Sequence, residues 1–382
     1  MKNILLIENH LHLYKRENSK IWQIKIKLPY KKALRVSAGT TLLKEAKLIA
    51  FKKYKLLSVD NINKIVNNKY FPLKKIHLIN SKDLTKEDIE CLLNESDKYI
   101  RLNKQNIKKT KILEGRTIFN LFFEDSTRTR TSFEVAAKRL GADLINVALK
   151  DSSINKGETL LDTMTTINSM NPDVLIVRHP EEGISEKISK IVKSCVINAG
   201  DGSHEHPTQA LLDALTIKKK FSSFKNLKIA ICGDIIHSRV ARSNIEILTK
   251  LGSKINVIGP KKLIPNDINK LNVNVFTNMK EGLKNCDIVM MLRIQKERIV
   301  GKIMSNEKEY FKKFGLNYSK LAFAKKNALV MHPGPMNRGV EIDSKLADDV
   351  TRSLIQEQVA MGVAIRMACL EILINNKDLY GN

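Results

Sequence analysis

From residue 73 onward, strand-like apolar runs alternate with helical patterns, and this alternation constrains the fold more than any other feature of the sequence. The expected strands are 117–123, 143–147, 174–177, 195–198, 228–232, 254–258, 273–276, 288–292 and 328–331. Such alternation is typical of parallel sheets that carry helices on both faces. Because it stops and restarts around a helical segment at 210–217, it predicts an α/β fold with two doubly wound parallel-sheet domains joined by helices.

The chain begins with a segment of a different pattern. Residues 1–57 contain a strand-like run at 21–28 and a helical stretch at 42–57, which predicts a small α+β N-terminal extension. This pattern resembles the small arm-binding domain of tyrosine recombinases, and a leftover fused segment is the alternative. The remaining expected parts are a linker at 58–71, a first α/β domain at 72–207, a second at 208–352, and a last helix at 353–375 that packs back on the first.

The chain is strongly basic, and the charge is uneven. Its 382 residues carry a formal net charge of +26, and residues 1–70 alone hold 16 basic and 4 acidic side chains. Such a charge ordinarily suggests a polyanionic partner. Most of the basic residues are lysines, however, and Asn and Ile are also abundant, which indicates a general compositional bias. We therefore do not favour nucleic acid as a partner of the whole chain.

Several classes of protein are excluded by the apolar and cysteine patterns. The longest apolar runs, such as 173–177, fall far short of the roughly 18 residues of a membrane span. The first residues show no signal-peptide pattern, so we expect a cytoplasmic protein without a membrane partner. The cysteines are scattered and odd in number, which fits neither a disulfide framework nor a zinc site: Cys91, Cys195, Cys232, Cys286 and Cys369.

The strongest chemical signal is the segment 122–134, FFEDSTRTRTSFE, where a strand is expected to end and a helix to begin. Helix N-termini offer unpaired N–H groups and the positive end of the helix dipole. Hydroxyl and guanidinium donors crowd the same place: Ser126, Thr127, Arg128, Thr129 and Arg130. The combination predicts an anion site suited to a phosphate group.

Three further polar clusters are candidates for the same site. Lys156 precedes a glycine in a polar loop, and Arg178 closes a strand at the edge where open α/β sheets bind ligands. His204 and His206 lie before the helix at 210–217, and a metal site is one interpretation of this pair. No third ligand of the usual kind is close in sequence. A hydrogen bond from His206 to a substrate carbonyl is therefore the simpler interpretation, and we expect no metal.

Taken together, four motifs resemble the carbamoyl-phosphate half of the transcarbamylases, the aspartate and ornithine carbamoyltransferases. They are STRTR at 126–130, KGET at 156–159, RHP at 178–180 and HPTQ at 206–209. In the second half, RIQKER at 293–298 and HPGP at 332–335 resemble the aspartate enzymes specifically. The resemblance extends from about residue 72 to the C-terminus, and it implies carbamoyl transfer from carbamoyl phosphate to L-aspartate in pyrimidine synthesis.

The resemblance also implies residue roles in carbamoyl phosphate binding. Arg128, Thr129, Lys156, Arg178 and His206 would act in catalysis. Thr129, Arg178 and His206 would reach the carbonyl oxygen, and Gln209 would contact the carbamoyl NH2 group. The full set that would bind carbamoyl phosphate is Ser126, Thr127, Arg128, Thr129, Ser152, Lys156, Arg178, His206 and Gln209. Ser152 and Lys156 would come from a neighbouring subunit, so the expected assembly is a homotrimer with shared active sites.

The second substrate would be held by the other half of the chain. L-aspartate would contact Lys156, Arg239, Arg293, Gln295, Gly334 and Pro335. Glu124 would orient Arg239 and Arg298 by ion pairing, and the polar stretch 296–325 would include a loop that moves on closure. Gly334 stands where some relatives have Leu, a change that a backbone contact tolerates. The resemblance implies no cofactor, and it leaves open whether regulatory chains bind to the trimer.

Elementary chemistry agrees with these implied roles, because two small anions can meet only in a strongly cationic pocket.

Three other interpretations of the function remain. A transcarbamylase that uses another amino acceptor, such as ornithine, differs only in the second half. A dinucleotide-binding oxidoreductase is disfavoured, because no G-x-G-x-x-G follows the strand at 228–232. A DNA-binding protein would depend on residues 1–57.

Overall fold

The computed structural model describes residues 3–7, 11–27, 34–56, 73, 75–147, 159–295 and 306–380. The chain divides into two compact units, Met1–Pro72 and Leu73–Asn382. The predicted linker at 58–71 lies outside the described residues.

The smaller unit is an antiparallel sheet with one helix. Its strands pair in the order β1-β2-β3-β4, and helix α1 follows them: β1 Asn3–Ile7, β2 Leu11–Tyr14, β3 Gln23–Ile26, β4 Leu34–Ser37 and α1 Leu43–Leu56. Alternate residues of β2 and β3 are buried, and they form a small core with Trp22, Ala46 and Ala50. The predicted α+β character is confirmed, whereas the sequence analysis did not anticipate β1, β2 and β4.

The larger unit contains two parallel sheets. The first has the order β6-β5-β7-β8: β5 Thr117–Phe122, β6 Asp143–Val147, β7 Val174–His179 and β8 Cys195–Asp201. The second has the order β11-β10-β9-β12-β13: β9 Lys228–Cys232, β10 Lys254–Ile258, β11 Asn274–Phe276, β12 Ile288–Met291 and β13 Leu329–Met331. All strand pairs are parallel, which confirms the predicted fold class.

Helices connect the strands of both sheets, as parallel pairing requires. Those of the first sheet are α2 Lys86–Leu102, α3 Thr127–Leu140, α4 Leu160–Ser169, α5 Ile184–Ser189 and α6 Pro207–Lys220. Those of the second are α7 Arg239–Lys250, α8 Met279–Gly282, α9 Glu307–Phe314, α10 Tyr318–Leu321 and α11 Ser344–Asp348. The last helix, α12 Ile355–Tyr380, packs against α2, α3 and α6.

Local sequence explains where the helices begin and end. Thr85 caps α2 in a capping box with Asp88, because each side chain accepts the other residue's backbone N–H. Gly141 ends α3 with a φ of 87°, a conformation that glycine adopts without strain. Among the described residues, none of the helices is both long and apolar enough to cross a membrane.

Candidate active site

The carboxyl ends of the strands in both sheets border one cavity of about 440 Å³. It is lined by twelve of the residues that the sequence analysis placed in the site: Ser126, Thr127, Arg128, Thr129, Arg178, His206, Gln209, Arg239, Arg293, Gln295, Gly334 and Pro335. Ser152, Lys156 and Arg298 lie outside the described residues. Segments separated by more than 200 positions thus meet where open α/β sheets bind their ligands.

The first wall is the strand–helix junction after β5. Helix α3 begins at Thr127, and within the described residues the side chain of Ser126 makes no capping hydrogen bond. The N–H groups of the first turn have no partner within the helix, so they are available as donors to an anion. Thr129 is buried, and Arg128 extends across the cavity to Pro333, whose carbonyl oxygen lies 3.4 Å from Nη1.

One carboxylate pairs with two of the arginines that line the cavity. Oε1 of Glu124 lies 2.7 Å from Nε of Arg178 and also accepts a hydrogen bond from Nη2 of Arg239. The three side chains are no more than 19% exposed. Arg178 comes from the first sheet and Arg239 begins α7 beside the second, so Glu124 aligns cations from both halves. The expected pairing of Glu124 with Arg239 is present, and the pairing with Arg178 is an addition.

A glycine lets these two guanidinium groups approach the backbone. Gly200 has a φ of +119°, and a Cβ atom there would lie 3.1 Å from Cζ of Arg239 and 3.3 Å from Nη1 of Arg178. Its neighbour Ala199 accepts a hydrogen bond from Arg178 at 3.3 Å. Position 200 therefore combines a backbone conformation and a close contact that both favour glycine.

His206 is buried beside the arginines. Burial, with a smaller contribution from Arg178 and Arg239, lowers the pKa of His206 well below 6.5. The imidazole is therefore neutral at physiological pH. Its Nδ1 atom is buried and has no hydrogen-bond partner in the part of the chain that the structure describes, and its backbone N–H donates to Ser243 at 2.8 Å. A neutral, preorganised imidazole of this kind suits a hydrogen bond to substrate.

The buried acid Glu205 is linked to His206 through Ser243. The carboxylate of Glu205 accepts a hydrogen bond from the Ser243 hydroxyl at 2.6 Å, and another from the backbone N–H of Ser81 at 3.1 Å. Nδ1 of His204 lies 3.5 Å from Oδ2 of Asp201. Among the described residues, no group of three His, Cys, Asp or Glu side chains is arranged to hold a metal ion.

The second half contributes the opposite wall. Gln295 donates from Nε2 to the carbonyl oxygen of His237 at 2.7 Å, and its own backbone N–H approaches Asp234 at 3.4 Å. His237 and Asp234 also pair directly, with 2.8 Å between Nδ1 and Oδ1. These contacts hold Gln295 near Arg293 at the rim of the cavity.

The HPGP segment closes the cavity beneath Arg128. Gly334 has a φ of +66°, and a Cβ atom there would lie 1.0 Å from Nη1 of Arg128. The backbone N–H of Gly334 donates to Nδ1 of His332 at 2.8 Å. In this conformation any side chain at 334 would displace Arg128.

A set of buried polar residues behind the cavity was not predicted from the sequence. Asp213 is fully buried and accepts hydrogen bonds from three amide side chains: Gln209 at 3.1 Å, Gln358 at 2.7 Å and Asn244 at 2.8 Å. Arg366 is also buried, borders the cavity, and donates to the hydroxyl of Ser132. These residues lack a motif, so only the folded structure reveals them.

The two parallel sheets make this an α/β protein, and the arginines that line the cavity between their strand ends make the cavity suitable for small anions. Models of two domains match the chain: aspartate/ornithine carbamoyltransferase, carbamoyl-P binding domain, over residues 76–219, and the Asp/Orn binding domain over 225–373. The chain belongs to the aspartate/ornithine carbamoyltransferase family.

Within this family, the chain is similar to catalytic subunits of aspartate carbamoyltransferases. The aspartate carbamoyltransferase catalytic subunit of Pelagibacter ubique is 54% identical over 305 residues, which cover 80% of this chain and 97% of that protein. The corresponding subunit of Methylorubrum populi is 57% identical over 297 residues, which cover 78% and 94%.

Solved structures agree with this result. Aspartate transcarbamoylase from Trypanosoma cruzi in complex with N-(phosphonacetyl)-L-aspartic acid is 31% identical, with a TM-score of 0.69 over 77% of this chain and 94% of that one. The same enzyme in complex with carbamoyl phosphate is 32% identical, again with a TM-score of 0.69, over 77% and 95%.

Proposed function

We propose that this chain is the catalytic chain of an aspartate carbamoyltransferase. It transfers the carbamoyl group of carbamoyl phosphate to the α-amine of L-aspartate and releases N-carbamoyl-L-aspartate and phosphate, in pyrimidine synthesis. The observation that carries the proposal is the convergence of four arginines from both sheets on one cavity, together with a neutral histidine: Arg128, Arg178, Arg239, Arg293 and His206.

Carbamoyl phosphate binds at the N-terminus of α3. Its phosphate accepts hydrogen bonds from the first-turn N–H groups and from Ser126, Thr127, Arg128 and Thr129. Arg178 and His206 reach the carbonyl oxygen, and Gln209 contacts the NH2 group. All of these side chains border the cavity. A helix N-terminus and a guanidinium group both favour a phosphate dianion.

L-aspartate binds on the opposite wall. Arg239 and Arg293 hold its two carboxylates, Gln295 donates a further hydrogen bond, and the backbone at Gly334 and Pro335 borders the amine. Guanidinium groups suit this task because they bind carboxylates in a bidentate manner. Ornithine carries a cationic side chain, so a wall with two arginines disfavours it as the acceptor.

The reaction needs positioned donors more than a protein nucleophile. The amine nitrogen attacks the carbamoyl carbon and the C–O bond to phosphate breaks. The proton that the amine loses ends on the departing phosphate, which is released as hydrogen phosphate. Negative charge grows on the carbonyl oxygen in the tetrahedral state, where Thr129, Arg178 and His206 stabilise it. Holding both reactants side by side supplies much of the remaining acceleration.

The active site is shared between subunits of a homotrimer in the cytoplasm, with Ser152 and Lys156 supplied by a neighbour. The edge strand β6 supports this assembly. Strands of a parallel sheet are ordinarily buried on both faces, but Ile145 of β6 is 44% exposed. Leu161, in the helix α4 that follows β6 in the chain, is 57% exposed. Residues 72–207 and 208–352 form the two substrate domains.

A direct assay tests the reaction. The purified chain receives carbamoyl phosphate with either aspartate or ornithine, and the ureido product is separated and identified by mass. N-carbamoyl-L-aspartate is expected with aspartate, and citrulline is not expected with ornithine. Product from ornithine alone would overturn the assignment of the acceptor, and no product from either would overturn the assignment of the reaction.

Subunit mixing tests the shared site. Lys156→Ala and Arg128→Ala variants are expected to lose most activity separately. After exchange of subunits between the two variants, some sites receive both wild-type residues, so activity returns in part. If activity does not return after native mass spectrometry has verified the exchange, Lys156 acts within its own subunit or outside the site.

A further inference from the structure

Gln209 is the cavity residue assigned to the carbamoyl NH2 group, and an amide side chain has two chemically different ends. Its NH2 end donates hydrogen bonds and its oxygen accepts them. The NH2 group of a carbamoyl substrate is a donor, so it needs the oxygen of Gln209. The activity therefore depends on which way this amide is turned.

A buried carboxylate determines that direction. Nε2 of Gln209 donates to Oδ1 of Asp213 at 3.1 Å, one helical turn further along α6. An ionised carboxylate can only accept hydrogen bonds. Asp213 cannot donate to the oxygen of Gln209, so it binds the Nε2 end of the amide. The Oε1 end is then the one that can accept a hydrogen bond from a ligand in the cavity.

The same carboxylate is itself fixed from two other helices. Its Oδ1 atom accepts from Nε2 of Gln358 on α12 at 2.7 Å, and Oδ2 accepts from Nδ2 of Asn244 on α7 at 2.8 Å. Gln358 in turn accepts a hydrogen bond from the backbone N–H of His332 at 2.9 Å. Asp213 is fully buried, so none of these bonds competes with bulk water.

We infer that Asp213 is a positioning residue for substrate choice: it fixes the amide of Gln209 so that the site accepts an acyl phosphate that carries N–H groups and disfavours one that carries a methyl group. This inference rests on the proposed function. It concerns carbamoyl phosphate against acetyl phosphate, which share the phosphate and the carbonyl group and differ only at the atom that Gln209 contacts.

An Asp213→Ala variant is the central test. Water that enters the space left by the carboxylate can donate or accept, so it no longer fixes the direction of the Gln209 amide. We expect the KM for carbamoyl phosphate to rise by roughly tenfold or more, since hydrogen bonding to a substrate N–H is a strong source of discrimination. The Ki of acetyl phosphate as a competitive inhibitor should change by less than about twofold.

Two comparison variants separate positioning from general damage. Asp213→Asn should retain most of the selectivity, because its oxygen can still accept from both glutamines. Asn244, whose Oδ1 is buried and unpartnered among the described residues, turns to accept from the new amide and gives up its hydrogen bond to Val240. Asn256→Ala removes another fully buried amide, which lies on β10 of the second sheet and donates to the carbonyl oxygen of Gly282 in α8. It should leave the ratio of KM to Ki unchanged.

Equal changes in the KM and the Ki of Asp213→Ala, or no change in either, would overturn the inference. If that variant does not fold, the wild-type protein supplies the measurement. Burial raises the pKa of Asp213 to about 6, opposed by its amide donors and by Arg366 on α12. The ratio of KM to Ki should therefore rise as the pH falls through 6, and a flat ratio refutes the role. A wild-type chain that makes no N-carbamoyl-L-aspartate would instead refute the proposed function.

Discussion

Replacing Gly200 with alanine should damage the paired arginines more than the fold. The added Cβ atom would lie 3.1 Å from Arg239 and 3.3 Å from Arg178, closer than ordinary van der Waals contact. Each guanidinium group must therefore move by a few tenths of an ångström relative to Glu124, which holds Arg178 at 2.7 Å. The change also places alanine at a φ of +119°, which costs about 1–3 kcal/mol of stability.

The functional effect follows from the hydrogen bonds that the two arginines make. A hydrogen bond to a charged group contributes about 1.5–3 kcal/mol, and the loss of about 1.4 kcal/mol changes a binding constant tenfold. We expect the KM values for carbamoyl phosphate and aspartate each to rise by roughly tenfold in Gly200→Ala. Steady-state kinetics with each substrate varied in turn measures this effect, and urea unfolding measures the stability.

Gly252→Ala is the matched control. Gly252 has a φ of +97°, and the nearest atom to the methyl group of an alanine there would be the Cα atom of Lys225 at 3.7 Å, without an arginine nearby. It should lose similar stability but keep wild-type KM values. If both variants lose the same stability and both keep wild-type KM values, the close approach of the arginines to Gly200 has no functional role.

Three further outcomes are expected. Glu124→Gln should lower kcat/KM by roughly 10- to 100-fold with an unchanged circular dichroism spectrum, because Arg178 and Arg239 lose their shared charged acceptor; near-normal kinetics would contradict this. Burial lowers the pKa of His332 to about 3, so only the unfolded chain takes up a proton there between pH 6.5 and 3. The free energy of unfolding should thus fall on acidification by up to about 1.4 kcal/mol per pH unit, and calorimetry of His332→Asn should show a smaller slope. Ile24→Ala should cost the smaller unit about 2–5 kcal/mol and expose residues 1–72 to limited proteolysis, while carbamoyl transfer persists.

Much of the larger unit could be predicted from sequence because its signals are local. Strand–helix alternation predicted β5 at 117–123 against the observed Thr117–Phe122, and the last helix at 353–375 against Ile355–Tyr380. The cavity residues of the first sheet were likewise predictable, since they follow strand ends in compact motifs. The stretch 296–325, which was expected to include a loop that moves on closure, contains two helices, Glu307–Phe314 and Tyr318–Leu321. Residues 296–305 lie outside the described part, so the prediction of a moving loop stays a prediction.

The rest depends on contacts between distant positions. Asp213 lies on a helix whose apolar pattern predicts burial, but nothing local indicates that Gln358, 145 residues away, donates to it. The same holds for the shared use of Glu124 by Arg178 and Arg239, which come from different halves. In the smaller unit, β3 lies within an apolar-rich run that extends over residues 21–28, whereas the sequence offers no run of that length at β1, β2 and β4.

Trp22 is the sole tryptophan of the chain, and it lies in the core of the smaller unit at 4% exposure. Indole emission excited at the red edge of the absorption band therefore comes from the smaller unit alone, and the larger unit contributes no signal. A urea titration of one sample, followed in parallel by emission and by product formation, yields two separate unfolding curves. The distance between their midpoints measures how independently the two units melt.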